Sequence, residues 1–218
     1  MREVCSWWKA RSPRAARALG PADRTERAVT PTVTLVLVLF AAYLLGSIPS
    51  SYVIVRLITG EDIRRIGSGN PGTMNVRDHV GWKPAIVVGA LDIGKGAVAV
   101  GLAYWTGLGD IEAILAGMMA VAGHDWSIFL RLHGGNGTGA TVGALLALLP
   151  GPGLLAAVLA FVLWRLGATR RLAGLTGLLS VLPIAYVLDA PQVPMIGVAV
   201  LVALLFVKLW RVEGFAVA

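Results

Sequence analysis

Three short polar segments stand out in a chain that is otherwise mostly apolar. The first begins at GSIPSSYVIVR, Gly46–Arg56, and continues through GSGNPG, Gly67–Gly72, to Asn75. Glycine permits left-handed backbone and close approach, and successive exposed N–H groups in such turns form concave anion sites. Ser68, Gly69 and Asn70 lie within that turn, with Arg56, Arg64 and Arg65 upstream. The second segment is LDIGKG, where Asp92 and Lys95 stand at i, i+3 inside an apolar run and share one helix face. Ionisable residues within a span are costly and usually line a polar cavity. The third is GHDWSIFLRLHGGNG, with His124 beside Asp125 and a second glycine turn, Gly134, Gly135, Asn136 and Gly137. A histidine there suits a base, an orienting group or an oxyanion donor. Glycines, hydroxyls, amides and a few cations together suit a phosphate-bearing substrate. A P-loop is excluded because no Lys-Ser/Thr follows the glycines, and a dinucleotide fold because no strand precedes them. His124 and His133 lack a ligand partner at standard spacing, so no metal is expected.

The elements that must carry these residues are membrane helices. Of 218 residues, 56% are hydrophobic and 14% charged, with mean hydropathy +0.75, against roughly 45–50% and about 25% in soluble domains. A disordered chain is excluded, and an ordinary soluble enzyme does not fit. Apolar stretches predict spans at 32–52, 84–108, 112–132, 140–149, 153–166, 172–188 and 193–210. The fourth and fifth are short, read either as one helix broken by Pro150-Gly151-Pro152-Gly153 or as a tight helical hairpin. Loop charge favours the hairpin. Lys and Arg gather in 56–83, around 165–171 and at Lys208 and Arg211, and these segments fall on one side only if 140–166 crosses twice. The positive-inside rule then gives an all-α polytopic bundle of about seven spans, N-terminus out and C-terminus in, with all three polar segments on the inner face.

The net charge of +7 divides into +4 within residues 1–30 and +3 beyond. Residues 1–31 are Arg-, Ala- and Pro-rich without a signal-peptide apolar core. They fit a disordered basic leader, a surface-lying segment held by Trp7, Trp8 and arginines, or upstream sequence from a start codon placed too early. On the outer side, their charge runs against the topology. A single membrane domain is expected over 32–212, with a short tail at 213–218. The one cysteine, Cys5, forbids an internal disulfide.

GSIPSSYVIVR, GEDIRRIGSGNPGTMNV, LDIGKG and GHDWSIFLRLHGGNG resemble, in order, the motifs of the bacterial acyl-phosphate:glycerol-3-phosphate acyltransferases. The resemblance covers about residues 45–143. It implies a multi-pass enzyme of the bacterial plasma membrane, with its polar site facing the cytoplasm. Such an enzyme moves a fatty acyl group from acyl phosphate to glycerol 3-phosphate, forming lysophosphatidic acid for phospholipid synthesis. No cofactor, metal or nucleic acid is implied; the partners are the two substrates and membrane lipid. By motif position Ser47, Lys95 and His124 would be catalytic. Arg56, Ser68, Gly69, Asn70, Asn75, Asp92, Gly134, Gly135, Asn136 and Gly137 would hold substrate and its phosphate. The chain departs from the family at Asn136, where a cation is usual, at Asp78, where Arg is usual, and at Ser127, where Pro is usual. It also lacks the C-terminal His-Arg-Glu-Asn-type motif, since no histidine follows His133. Two other readings fit the same residues: a non-catalytic or repurposed relative that binds a phospholipid or phosphate ester, and a small membrane transporter.

Overall fold

The computed structural model describes the backbone of residues 21–213 and the side chains of 31–211. The readings of residues 1–20, with Cys5, Trp7 and Trp8, and of the tail beyond Glu213 lie outside the described residues. The chain divides into two units, 1–34 and 35–218. In the first, the described residues are helical from Pro21 onward, and the second holds all the residues of the candidate site.

Nine α-helices and two 3₁₀ turns make up the described residues: α1 (Pro21–Ser47), α2 (Ser50–Thr59), a turn at Ile63–Arg65, α3 (Thr73–His79), α4 (Trp82–Trp105), α5 (Asp110–Asp125), a turn at Ile128–Leu130, α6 (Thr138–Leu148), α7 (Pro150–Arg165), α8 (Arg170–Val187) and α9 (Gln192–Glu213). Among these residues there is no strand. Segments 31–59, 82–105, 110–130 and 192–211 are long and apolar enough to cross a bilayer, while α6 and α7 are shorter apolar helices. The outward faces carry large apolar side chains such as Leu57, Trp105 and Leu166. In water such faces would be a liability, whereas in lipid they are the solvent-facing surface.

Two boundaries differ from the sequence reading. The first span was expected to run unbroken to Tyr52, but α1 stops at Ser47 and α2 starts at Ser50. Pro49 lacks an N–H and disfavours helical backbone at Ile48, so the chain turns there and exposes the Ile48 carbonyl. The second is PGPG, expected to separate two helices. It forms the first turn of α7, with only Leu149 between α6 and α7. Proline at the first helical position loses no hydrogen bond that a helix N-terminus would have made. Three local signals set other ends. Gly60 closes α2 in the left-handed conformation, with φ +76°. The Thr169 hydroxyl accepts the Leu172 N–H at 3.2 Å to start α8. Asp110 and Glu112 occupy the first turn of α5.

Packing depends on small residues. α4 lies against α6 and α5, α7 against α8, and α9 against α5 and α6. At the α4–α6 crossing, a Cβ on Gly96 would strike the Ala140 carbonyl, and one on Gly143 would strike the Ile93 carbonyl. At the α1–α5 crossing, Gly46 and Gly123 meet the Ala120 and Tyr43 carbonyls in the same way. Helices associate in lipid through such close approach, because burying apolar area gains little there. The core accordingly is rich in Ala and Val, including Ala99, Val100, Ala103, Ala116, Ala120, Ala144 and Val198. These two crossings place Ser47, Lys95 and His124 beside one another.

Candidate active site

A buried ion pair forms the floor of the site. The Lys95 ammonium lies 2.8 Å from Asp92 Oδ1, with both side chains about 5% exposed or less. Lys95 also donates to the Ile48 carbonyl, the group freed by the break before Pro49. His124, in the last turn of α5, brings Nδ1 to 3.7 Å from the same Asp92 oxygen, too far for a hydrogen bond. Its Nδ1 has no partner, and neither does the fully buried Ser47 hydroxyl. The Ser47 carbonyl accepts from the Ser127 hydroxyl, which ties the end of α1 to the turn after α5. Ser47, Asp92, Lys95, His124, Ser127, Pro71, Gly134 and Gly135 line a small cavity of about 10 Å³, room for about one water.

The two glycine turns stand above this floor. Asn75 organises the first. Its Oδ1 accepts the Ser68 N–H at 3.1 Å, and its Nδ2 donates to the carbonyls of Ile66 at 2.9 Å and Ile63 at 3.4 Å. Ser51 donates to the Pro71 carbonyl at 2.7 Å, pinning the far end of the turn to α2. Asp62 caps the 3₁₀ turn and pairs with Arg64 at 2.6 Å. The Arg64 guanidinium holds the Asp62 carboxyl below its ordinary range and also lies over the Tyr52 ring. In the second turn, Gly134 and Gly135 donate their N–H groups to the carbonyls of Asp125 and His124, each at 3.1 Å. A Cβ on Gly135 would collide with His124 Nε2, so the loop lies directly on the imidazole. Gly137, with φ +74°, opens α6.

Between the turns runs a groove of about 640 Å³, within the ordinary range for ligand sites. Arg64, Arg65, Ser68, Gly69, Asn70, Gly134, Gly135, Asn136 and Lys208 border it. It meets the inner cavity at Pro71, Gly134 and Gly135, which line both. The structure thus brings together Ser47, Asp92, Lys95 and His124 below, and Ser68, Gly69, Asn70, Gly134, Gly135 and Asn136 above. Asn75 lies behind the first turn as its scaffold, and Gly137 behind the second. Arg56 borders neither space: it is exposed, and its guanidinium donates to the Gly60 carbonyl.

Sequence reasoning missed Lys208. It reaches from α9 to Asp125 Oδ2 at 2.8 Å and donates to the Gly135 carbonyl at 2.6 Å, a residue 73 positions away. One basic residue near the end of an apolar helix reads as an orientation signal, and nothing in its neighbourhood marks it further. Ser51 carries no signal of its own within GSIPSSYVIVR, and Ser127 stands out only as a departure from a usual Pro; their loop-pinning bonds depend on folds of the chain that spacing does not reveal.

Comparison with known proteins agrees with this architecture. Residues 36–213 match the family model for glycerol-3-phosphate acyltransferase. Glycerol-3-phosphate acyltransferase 2 of Moorella thermoacetica is 48% identical over 128 residues, which are 59% of this chain and 63% of that protein. Glycerol-3-phosphate acyltransferase 1 of Dehalococcoides mccartyi is 42% identical over 146 residues, 64% of this chain and 69% of that one. The aligned part is less than two thirds of the length of the Moorella protein, and only 56% of glycerol-3-phosphate acyltransferase 2 of Dehalococcoides mccartyi, which is 43% identical over 118 residues. Among solved structures, PlsY, an integral membrane glycerol 3-phosphate acyltransferase in its glycerol 3-phosphate form, superposes with a TM-score of 0.72 at 28% identity. The match covers 81% of this chain and 88% of PlsY. The lysophosphatidic acid form of PlsY gives 0.71 at 26% over the same shares. Nine α-helices among the described residues, four segments of them long and apolar enough to cross a bilayer, a buried ion pair under two glycine turns and a match from residue 36 to 213 lead to one assignment: the chain is an all-helical, multi-pass integral membrane protein that belongs to the glycerol-3-phosphate acyltransferase family.

Proposed function

We propose that this protein transfers a fatty acyl group from acyl phosphate to a hydroxyl of glycerol 3-phosphate, yielding lysophosphatidic acid and inorganic phosphate. The observation that carries this reading is the buried Asp92–Lys95 pair beside Ser47 and His124, at the foot of a groove rimmed by two glycine turns. The glycerol hydroxyl oxygen attacks the acyl carbonyl carbon, a C–O ester bond forms, and the bond from that carbon to the phosphate oxygen breaks. The hydroxyl proton leaves with the departing phosphate or passes to His124. Lys95, held in place by Asp92 and the Ile48 carbonyl, meets the charge that develops on the phosphate. The glycine-turn backbone and Asn70, Ser68 and Asn136 position the two phosphate groups. Positioning and fixed charge supply most of the acceleration in such a site.

In the same reading the chain crosses the plasma membrane of a bacterium seven times, with the groove on the cytoplasmic side and the acyl tail lying in the bilayer. The test is release of inorganic phosphate from acyl phosphate that depends on glycerol 3-phosphate, measured on purified protein in detergent or vesicles. Phosphate should accumulate with an equal amount of lysophosphatidic acid. Release no faster than from an Asp92→Asn/Lys95→Met double variant would refute the assignment, and complementation of a strain lacking its own acyltransferase would support it in cells.

A further inference from the structure

Lys208 belongs to none of the three polar segments, yet it borders the groove between them. An ammonium has three N–H donors. Two are engaged, by Asp125 Oδ2 at 2.8 Å and the Gly135 carbonyl at 2.6 Å. The Trp126 ring, 5.4 Å from Nζ, closes another side. Asp125 and Lys208 both border the groove, and the Lys208 side chain, 20% exposed against 6% for Asp125, is the more accessible of the pair. Its position is therefore fixed by three elements: α9, the end of α5 and the second glycine turn.

The charge around the groove is uneven. Arg64 and Arg65 stand on the side of the first turn, and Arg64 is committed to Asp62 and the Tyr52 ring. The second turn contributes Leu132, His133, Gly134, Gly135 and Asn136 to the lining, with no lysine or arginine of its own. We propose that Lys208 is the phosphate-binding cation of the second glycine turn, donating its third N–H to a substrate phosphate seated against Gly134–Asn136. This rests on the acyltransferase reading above, and it assigns a substrate contact to the last helix. A pair that served only to fasten α9 would have no need of a partly exposed lysine on a ligand-sized groove. Charge-assisted bonds to phosphate are roughly twice as strong as neutral ones, so the contact should register in binding.

The first experiment uses the unaltered protein. Purified full-length chain in detergent is reductively methylated, and modification of each lysine is followed by mass spectrometry. Glycerol 3-phosphate should slow modification of Lys208 at least tenfold, while glycerol should not, and exposed Lys83 should react equally in both. A non-hydrolysable acyl phosphonate in a second arm shows whether the donor phosphate protects the same ammonium. Lys208 reacting at the same rate with either phosphate ligand as without overturns the proposal. If wild-type protein binds neither ligand at all, by calorimetry on the same sample, the acyltransferase reading itself fails and takes this one with it.

The second experiment separates ligand contact from a helix clip. Lys208→Gln should raise the KM for glycerol 3-phosphate or for the donor about tenfold or more, with kcat changed by less than threefold. Adding Asn136→Lys to Lys208→Gln should recover most of that KM, because the new ammonium rises from the same turn. It would not restore a lost tie between α9 and α5. A double variant as weak in binding as Lys208→Gln while equally folded would overturn the proposal, as would a Lys208→Gln variant with an unchanged KM for both substrates.

Discussion

Breaking the Asp92–Lys95 pair one partner at a time, and then both together, separates its structural weight from its chemical one. At 2.8 Å and an effective dielectric of about 20, the attraction amounts to about 6 kcal/mol. Desolvating the two ions costs several kcal/mol each, so the pair as a whole contributes little to stability. Removing one partner is different. Lys95→Met leaves a carboxylate about 4% exposed without its counter-ion, and removes one of the two donors to the Ile48 carbonyl, the Ser50 N–H remaining. Loss of one member of a buried pair costs about 3–5 kcal/mol. Asp92→Asn strands the ammonium and should cost a similar amount. The double variant Asp92→Asn/Lys95→Met removes both charges, so its loss should fall well below the sum of the singles, with a coupling of about 2 kcal/mol or more. Denaturant unfolding in detergent, read by tryptophan fluorescence, measures this cycle. Phosphate release on the same samples should fall about 10²–10³-fold both in Lys95→Met and in the stable double variant, as when a preorganised electrostatic contact is lost. Simple additivity would refute the buried-pair energetics. A double variant that still released phosphate within threefold of wild type would refute the role of Lys95 at the reacting phosphate.

Four further outcomes follow from other parts of the site. Gly135→Ala should displace the His124 ring, because the new Cβ would occupy the space of Nε2. Overpacking of this kind costs about 1–3 kcal/mol, and phosphate release should fall further than stability. Gly143→Val at the α4–α6 crossing should force the backbones apart and lower both folded yield and activity together. Asn75→Ala deletes one acceptor and two donor contacts behind the first glycine turn. It should cost about 1–3 kcal/mol and raise the KM for glycerol 3-phosphate, measured by initial rates of phosphate release. For topology, Ser68→Cys in a Cys5→Ser background should react with an impermeant maleimide only after the cytoplasmic side is opened; labelling of intact cells would invert the orientation.

What the sequence made legible, and what it did not, follows from the range over which each interaction acts. Helices were readable because apolar content and length decide them locally, and the glycine turns because Gly, Asn and Pro disfavour regular helix and suit the backbone that turns require. Asp92 and Lys95 could be paired on paper because i, i+3 places them on one face. The misplaced boundaries have a shared cause: Pro49 and Pro150 were each read by hydropathy rather than by what a missing N–H does at a helix end. One broke a span that looked continuous, and the other began a helix in what looked like a turn. Arg56 illustrates a harder limit. Its proximity in sequence to the first glycine turn suggested a phosphate ligand, yet α2 and its Gly60 cap carry the guanidinium away to the Gly60 carbonyl. Lys208 is the converse. It is 73 residues from Gly135 and has no motif around it, and it reaches the groove only because α9 packs against α5 and α6. Local pattern therefore located the walls of the site. The direction of its cations depended on helix packing, and glycines draw the helices close at the α4–α6 and α1–α5 crossings and, where α9 meets α5, at Gly197 against Ile114. Those glycines were visible in the sequence, but nothing there said which groups they would meet.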